Sequence, residues 1–353
     1  MSVDTRPPPA APPDRSTSSK EQQPYLELGK KRHTGIKVLA IVVFWLLCWA
    51  LFKGHATKEL GLQDTTNFHD WLNGIRDWVQ LHGPDNWFFG SVLGFIGDVF
   101  NAIFEFLQKL VSIAAFPRPV PQIGWLGVVG IATWIAWACA GLRQTLLVVI
   151  TFLVFGVFGL WQDSIDLLLV TGIAVATCIV IGLPLGIAMA RRRSVSAAIT
   201  PVLDIMQTMP PFAYLAPIAL GFGIGPTTAI VLTTIYALPP LVRITEFGIR
   251  SVSPTTVEAA RSTGATPWQM ISKVQLPMSR EALVLATNQG LLYVLSMVVI
   301  GGMVGGGSLG YIVVSGFSQD QLFGKGLAAG IAIAALGVML DRIARYAAAR
   351  YGR

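Results

Sequence analysis

From residue 38 onward the chain is a series of apolar runs separated by short polar gaps. The runs cover Val38–Phe52 and residues 123–140, 144–161, 164–190, 211–223, 226–246, 283–304 and 327–346. A helix of about 20 apolar residues matches a hydrocarbon layer about 30 Å thick, so each run is read as a crossing. The first is short, and Lys37 and Lys53 at its ends extend it by reaching towards the headgroups. Trp87 to Ile113 is also apolar, yet Asp98, Asn101, Glu105 and Gln108 recur at helical spacing. They form one polar stripe, which predicts a helix lying along the membrane interface. The pattern predicts an all-α integral membrane protein with about eight transmembrane helices plus one interfacial helix, and both termini on the same side.

The polar stretches mark the boundaries. Residues 1–35 are rich in Pro, Ser and charge and read as a disordered cytoplasmic tail. Lys30-Lys31-Arg32 precedes an apolar run without a small-residue cleavage site, so the start is not read as a removable signal. Residues 36–53 form an extra N-terminal crossing, and 54–121 an extracytoplasmic or interfacial segment. Residues 122–347 form the main membrane domain, with a polar loop over 250–280, and 348–353 a short cytoplasmic tail. His55, His69 and His82 in the first polar segment match no metal-ligand spacing and read as solvated histidines. No metal site is expected.

Composition agrees with the pattern: 53% of residues are hydrophobic and only 13% charged, too apolar for a soluble chain of this length. The net charge of +7 is spread through the gaps rather than gathered on one face, so no nucleic-acid partner is expected. Twenty of the 26 Lys and Arg fall in gaps assigned to the cytoplasmic side, as the positive-inside rule requires. The opposite assignment for residues 87–113, a true crossing, would put either the basic N-terminus or the 250–280 loop outside. Cys48, Cys139 and Cys178 lie within apolar runs and read as small buried hydrophobes.

The longest polar interruption of the second half is Glu258–Pro277, EAARSTGATPWQMISKVQLP. Ser253 followed by Pro254 predicts a helix start, since proline at the first helical position loses no hydrogen bond. Gly264 suits the left-handed residue that closes a helix. Thr266-Pro267 repeats the start signal, and Pro277 is expected to stop the second helix. Two short helices at an angle make a rigid elbow, and Ala259 and Ala260 let another backbone approach closely.

Glu258-Ala259-Ala260, Gly264, Val274, Leu276 and Pro277 together resemble the cytoplasmic loop of binding-protein-dependent ABC importer permeases, with valine where isoleucine is more usual. Further segments resemble the permeases of glycine betaine/proline importers in particular. These are Leu203-Asp204, Gln207-Thr208, Pro210-Pro211, Phe222-Gly223-Ile224-Gly225, Ala237-Leu238-Pro239-Pro240, Arg243, Asn288-Gln289, Leu295–Ile300, Leu309-Gly310 and Leu340-Asp341-Arg342. The resemblance runs from about residue 70 to about 345. It implies a MetI-like type I ABC importer transmembrane domain in a prokaryotic plasma membrane. The implied partners are an ABC ATPase subunit, an extracytoplasmic solute-binding protein, a second permease copy (a homodimer) and membrane lipid. The loop residues Glu258, Ala259, Ala260, Gly264, Leu276 and Pro277 would then dock on the ATPase and carry its movement. ATP and Mg would be held by that partner, with no cofactor in this chain.

The pathway is less sharply drawn. Prolines at 210–211 and 239–240 are expected to interrupt helices, as breaks near a water-lined passage do; packing kinks are the alternative. Gln207, Thr208, Asn288, Gln289 and Ser296 either line a path or join helices by hydrogen bonds. Pro210, Pro239, Tyr214 and Met297 complete the candidate pathway or gate set. Gly324-Lys325-Gly326 lacks the spacing of a phosphate loop, so no ATP site and no catalytic residue is expected. Acidic residues sit near run ends rather than at depth, which disfavours an ion-coupled carrier; a secondary carrier or osmotically gated channel needing no ATPase is the rival class. Nine of the ten tryptophans precede the main domain's second half, leaving few aromatic faces there for a quaternary ammonium ion. Selectivity is therefore expected in the separate binding protein, and an importer for another small solute remains the alternative.

Overall fold

The computed structural model describes residues 28–52, 65–114, 120–304 and 309–351, with side chains over 35–51, 65–114, 120–304 and 309–347. By internal contacts the chain divides into Met1–Asp70 and Trp71–Arg353. In the first unit α1 (Leu28–Phe52) begins inside the stretch expected to be a disordered tail. Its side chains from Ile36 to Leu51 are largely exposed, as a helix solvated by lipid would be. The rest of the tail and His55 lie outside the described residues. The helix α2 (Asn67–His82), which crosses the unit boundary, was not expected. Trp71, Ile75 and Trp78 share one face of it, with Asp70, Asn73 and Asp77 on another, so a segment of low mean hydropathy still forms an amphipathic helix.

In the second unit a π-helical turn, Trp87–Leu93, leads into α3 (Gly94–Val111). α4 (Gly124–Ala140) and α5 (Leu142–Val157) form a hairpin at Gly141. Next come α6 (Trp161–Arg191) and α7 (Arg193–Thr208). A 3-10 turn, Pro211–Tyr214, leads into α8 (Leu215–Phe222), followed by α9 (Pro226–Arg250). The elbow holds α10 (Pro254–Ser262), α11 (Pro267–Gln269), a π-helical turn (Met270–Gln275) and α12 (Leu276–Met278). The chain finishes with α13 (Arg280–Gly301), α14 (Leu309–Ser318) and α15 (Phe323–Tyr351). There is no strand among the described residues. Among the described residues five stretches are long and apolar enough to cross a membrane: Trp161–Arg191, Pro226–Arg250, Arg280–Val304 and Asp320–Ala347, all expected as crossings, and Trp87–Val111, which was expected to lie at the interface. The other expected crossings fall on shorter apolar helices, and the run at 211–223 is broken into the 3-10 turn and α8.

The core is α9 packed between α6 and α13. Pairing along the helices shows that α6 and α9 run parallel: the Cys178 thiol faces the Thr234 carbonyl, and an Arg250 guanidinium N–H donates to Met189 O at 2.9 Å. A Cβ on Gly186 would lie 2.6 Å from the Cβ of Thr245, and one on Gly290 2.8 Å from Leu241 Cδ1. Small residues thus bring backbones together where apolar burial adds little driving force, and dispersion takes its place. Pro239 and Pro240 lie buried inside the continuous helix α9, contrary to the expected break. Held on two sides, and with no water to receive freed backbone groups, the helix stays closed.

The polar stripe of α3 divides. Asp98, Asn101 and Glu105 are exposed and Gln108 half-buried, yet Asn101 and Gln108 bond to the bundle. The Thr227 hydroxyl, in the first turn of α9, donates to Asn101 at 2.7 Å. The Ser112 hydroxyl and Gln108 amide donate to the Asp166 carboxylate, near the start of α6, at 2.7 and 3.0 Å. α3 thereby spans the starts of two core helices.

Candidate functional site: the elbow and the helix break

At the end of the bundle where α6 and α9 finish, basic residues gather: Arg191, Arg192 and Arg193, with Arg243 and Arg250 of α9 and Arg280 at the start of α13. The elbow lies at this end. α10 starts at Pro254 as predicted, with Ser253 in the N-cap position, but the Ser253 hydroxyl pairs with that of Thr255 at 2.7 Å instead of bonding the helix backbone. The predicted close at Gly264 is present: φ is +78°, and its N–H donates to Arg261 O at 2.9 Å. That region strains residues bearing a Cβ. Thr266 forms a full capping box. Its hydroxyl accepts from the Gln269 N–H at 3.3 Å, and the Gln269 side chain accepts from the Thr266 N–H at 2.9 Å. Pro277 does not stop the second helix: it sits in the first turn of α12, which proline tolerates, and the helix yields only at Ser279.

Met270, buried among its neighbours, ties the second arm of the elbow down. Glu258, Ala259, Gly264 and Pro277 are exposed, and Ala260 and Leu276 half-buried. Glu258 has no hydrogen bond or ion pair among the described residues, and Trp268, in the other arm of the same elbow, stands 74% exposed. An exposed acidic group and a bare indole on one stiff support make a surface suited to receiving another protein.

The second feature is the break between α7 and α8. Met209 and Pro210 are extended (ψ 132° and 140°), as the residue before a proline prefers. The Tyr214 hydroxyl donates across the break to Met206 O at 2.7 Å. Tyr214 packs with Ile218, Leu232 and Met297, so the break is sealed against α9 and α13. Gln207, Thr208 and Pro210 are exposed beside it. The hydroxyls of Thr208 and Ser296 donate to carbonyls of their own helices, Ile205 at 3.2 Å and Leu292 at 2.9 Å, and join no pair of helices. Asn288 stands apart from this cluster, in a groove of about 310 Å³ with Arg280, Thr287 and Ala344. Pro239 is apart too, inside α9. Tyr236 and Tyr293 stack at a tilt, centroids 5.7 Å apart.

Missed in the sequence is a polar clamp at the basic end. Glu246 accepts from the Ser196 hydroxyl at 2.8 Å and pairs with Arg250 at 2.7 Å, while Arg243 pairs with Asp204 of α7. Arg191 also donates to Pro267 O at 2.9 Å. Arg191 and Arg250 had registered only as topology charges, and Arg243 as such a charge and as part of the family resemblance.

Residues 182–353, which include the elbow, the break and the clamp, match a family model described as binding-protein-dependent transport system inner membrane component. The glycine betaine/proline betaine transport system permease protein ProW of Escherichia coli (strain K12) is 37% identical over 77% of this chain and 73% of its own length. The chain belongs to this permease family. The glycine betaine/carnitine transport permease protein GbuB of Listeria monocytogenes is likewise 37% identical, over 77% of this chain and 92% of its own. A solved structure titled as an inward facing conformation of the MetNI methionine ABC transporter is 25% identical, covering 54% of this chain and 93% of that one, with a TM-score of 0.46. By its family, the chain is an inner-membrane permease of a binding-protein-dependent transport system, all-α among the described residues.

Proposed function

We propose that this permease forms the membrane passage of an ATP-driven importer for glycine betaine and proline betaine type osmoprotectants. The observation that carries the reading is the exposed elbow, with Glu258 unpartnered among the described residues, in a chain so similar to the glycine betaine/proline betaine permease of E. coli. The basic end, the elbow and both termini face the cytoplasm, where an ABC ATPase binds ATP and Mg and seats on Glu258, Ala259, Ala260, Gly264, Leu276 and Pro277. The opposite end receives a solute-binding protein that supplies selectivity. Two copies pair within lipid. α3 lies at the outer interface across the starts of α6 and α9, and its partners Thr227 and Asp166 support that placement.

The break at Met209–Pro210, sealed by Tyr214 and Met297, is the gate, with Gln207 and Thr208 beside it. Ser296 faces the passage, while Pro239 keeps α9 stiff and Asn288 belongs to the α13–α15 contact. The test is uptake of labelled glycine betaine into liposomes holding the chain with its ATPase and binding protein. ATP-dependent accumulation that needs all three supports the reading. Uptake by the chain alone without nucleotide overturns it in favour of a secondary carrier.

A further inference from the structure

The elbow is joined through the chain to α9 at Ser253 and to α13 at Ser279, but α6 has no covalent link to it. The Arg191 Nη1 to Pro267 O bond, 2.9 Å long, is the one hydrogen bond among the described residues that reaches from the elbow to a helix not next to it in sequence. Its acceptor is the first residue of the second elbow arm, inside the Thr266–Gln269 capping box and just ahead of the π-helical turn at Met270–Gln275. Wide helical turns of this kind recur at functional sites. Its donor is the last residue of α6, whose preceding turn is itself held: Met189 O accepts from Arg250, Arg250 pairs with Glu246, and Glu246 accepts from Ser196 of α7. A chain of directed polar contacts thus runs from the elbow through α6 to α9 and α7. Such a chain transmits displacement, because a charge-assisted bond has a preferred geometry that apolar sliding lacks.

We propose that Arg191 is a positioning residue for transport: it ties α6 to the elbow, so that movement of the elbow is passed into α6 and the three-helix clamp. The proposal rests on the importer reading given above. Arg192 beside it donates no side-chain hydrogen bond among the described residues and serves as the control.

The test uses the whole complex in liposomes and measures both glycine betaine uptake and ATP hydrolysis. Arg191→Ala is expected to co-purify with the ATPase and to hydrolyse ATP at the unaltered rate, while solute moved per ATP falls about tenfold, the weight of one charge-assisted bond. Arg191→Lys, which keeps a charged donor, recovers part of that ratio, and Arg192→Ala matches the unaltered chain. An unchanged ratio in Arg191→Ala overturns the proposal, as does a parallel fall in hydrolysis and uptake, the mark of a purely structural loss. Should Arg191→Ala not assemble, Arg191→Gln is compared with Arg191→Lys, and a ratio no lower for Gln overturns it. Failure of the importer reading itself is separately visible, as absence of ATP-dependent uptake by the unaltered complex.

Discussion

The pairs Pro210-Pro211 and Pro239-Pro240 carry the same local instruction, and the molecule obeys it in one place and overrides it in the other. At 209–211 the chain leaves the helix, turns through a 3-10 segment and exposes Gln207, Thr208 and Pro210. At 239–240 the helix continues, both rings buried, with Ala237, Leu241 and Val242 fully covered beside them. A proline inside a helix costs about 3 kcal/mol, and close contact with α6 and α13 along most of α9 offsets it at 239–240. Exposure alone does not break a helix here, since the single prolines Pro184 and Pro201 are exposed inside the continuous helices α6 and α7. At 209–211 a proline pair on a bare segment does end the helix, and the elbow, with its left-handed Gly264 and Thr266 capping box, is likewise shaped by local chemistry.

That contrast can be broken at several points. On the enclosed side, Gly186→Val drives a branched side chain against Thr245 and the Val242 carbonyl. Overpacking of this kind costs about 1–3 kcal/mol or more, and the expected outcome is loss of monodisperse protein after detergent extraction. On the bare side, Gly264→Pro forbids the +78° φ. Insertion should persist while uptake disappears; normal uptake would remove the elbow from the transport cycle. Pro210→Ala and Pro211→Ala together let α7 run on into the following turn, so uptake should fall about tenfold, within the range set by the helix propensity gained, with thermal stability nearly unchanged. Smallest is Pro239→Ala, which returns an amide donor towards the Ile235 carbonyl but gives up the packed ring. The apparent melting temperature should rise by a few degrees, equivalent to about 1 kcal/mol. A fall instead would mean that the ring is needed for the contact, and would weaken the comparison.

The family resemblance was legible from short-range pattern: Glu258-Ala259-Ala260, Gly264 and the Thr266-Pro267 restart lie where the spacing placed them. The helical phase of α3 was legible too, though not its partners. Asn101 and Gln108 belong to the polar stripe, yet only the folded chain brings Thr227 and Asp166 to them. α2 was missed because its aromatic face is diluted by an equal number of polar residues, and only the helical period reveals it. The Ser253 hydroxyl and Pro277 behaved differently from expectation since each had a local alternative, a neighbouring hydroxyl and a first-turn position.

Local sequence suffices for the membrane class, the left-handed glycine and the capping box, because backbone sterics and hydrogen bonds within one turn depend on nearest neighbours alone. It does not suffice for the continuity of α9 through two prolines, the seal of Tyr214 on Met297 or the reach of Arg191 to Pro267. Those depend on residues far apart in the chain, and the energies that decide them, close packing and directed polar contacts, exist only once the helices have come together.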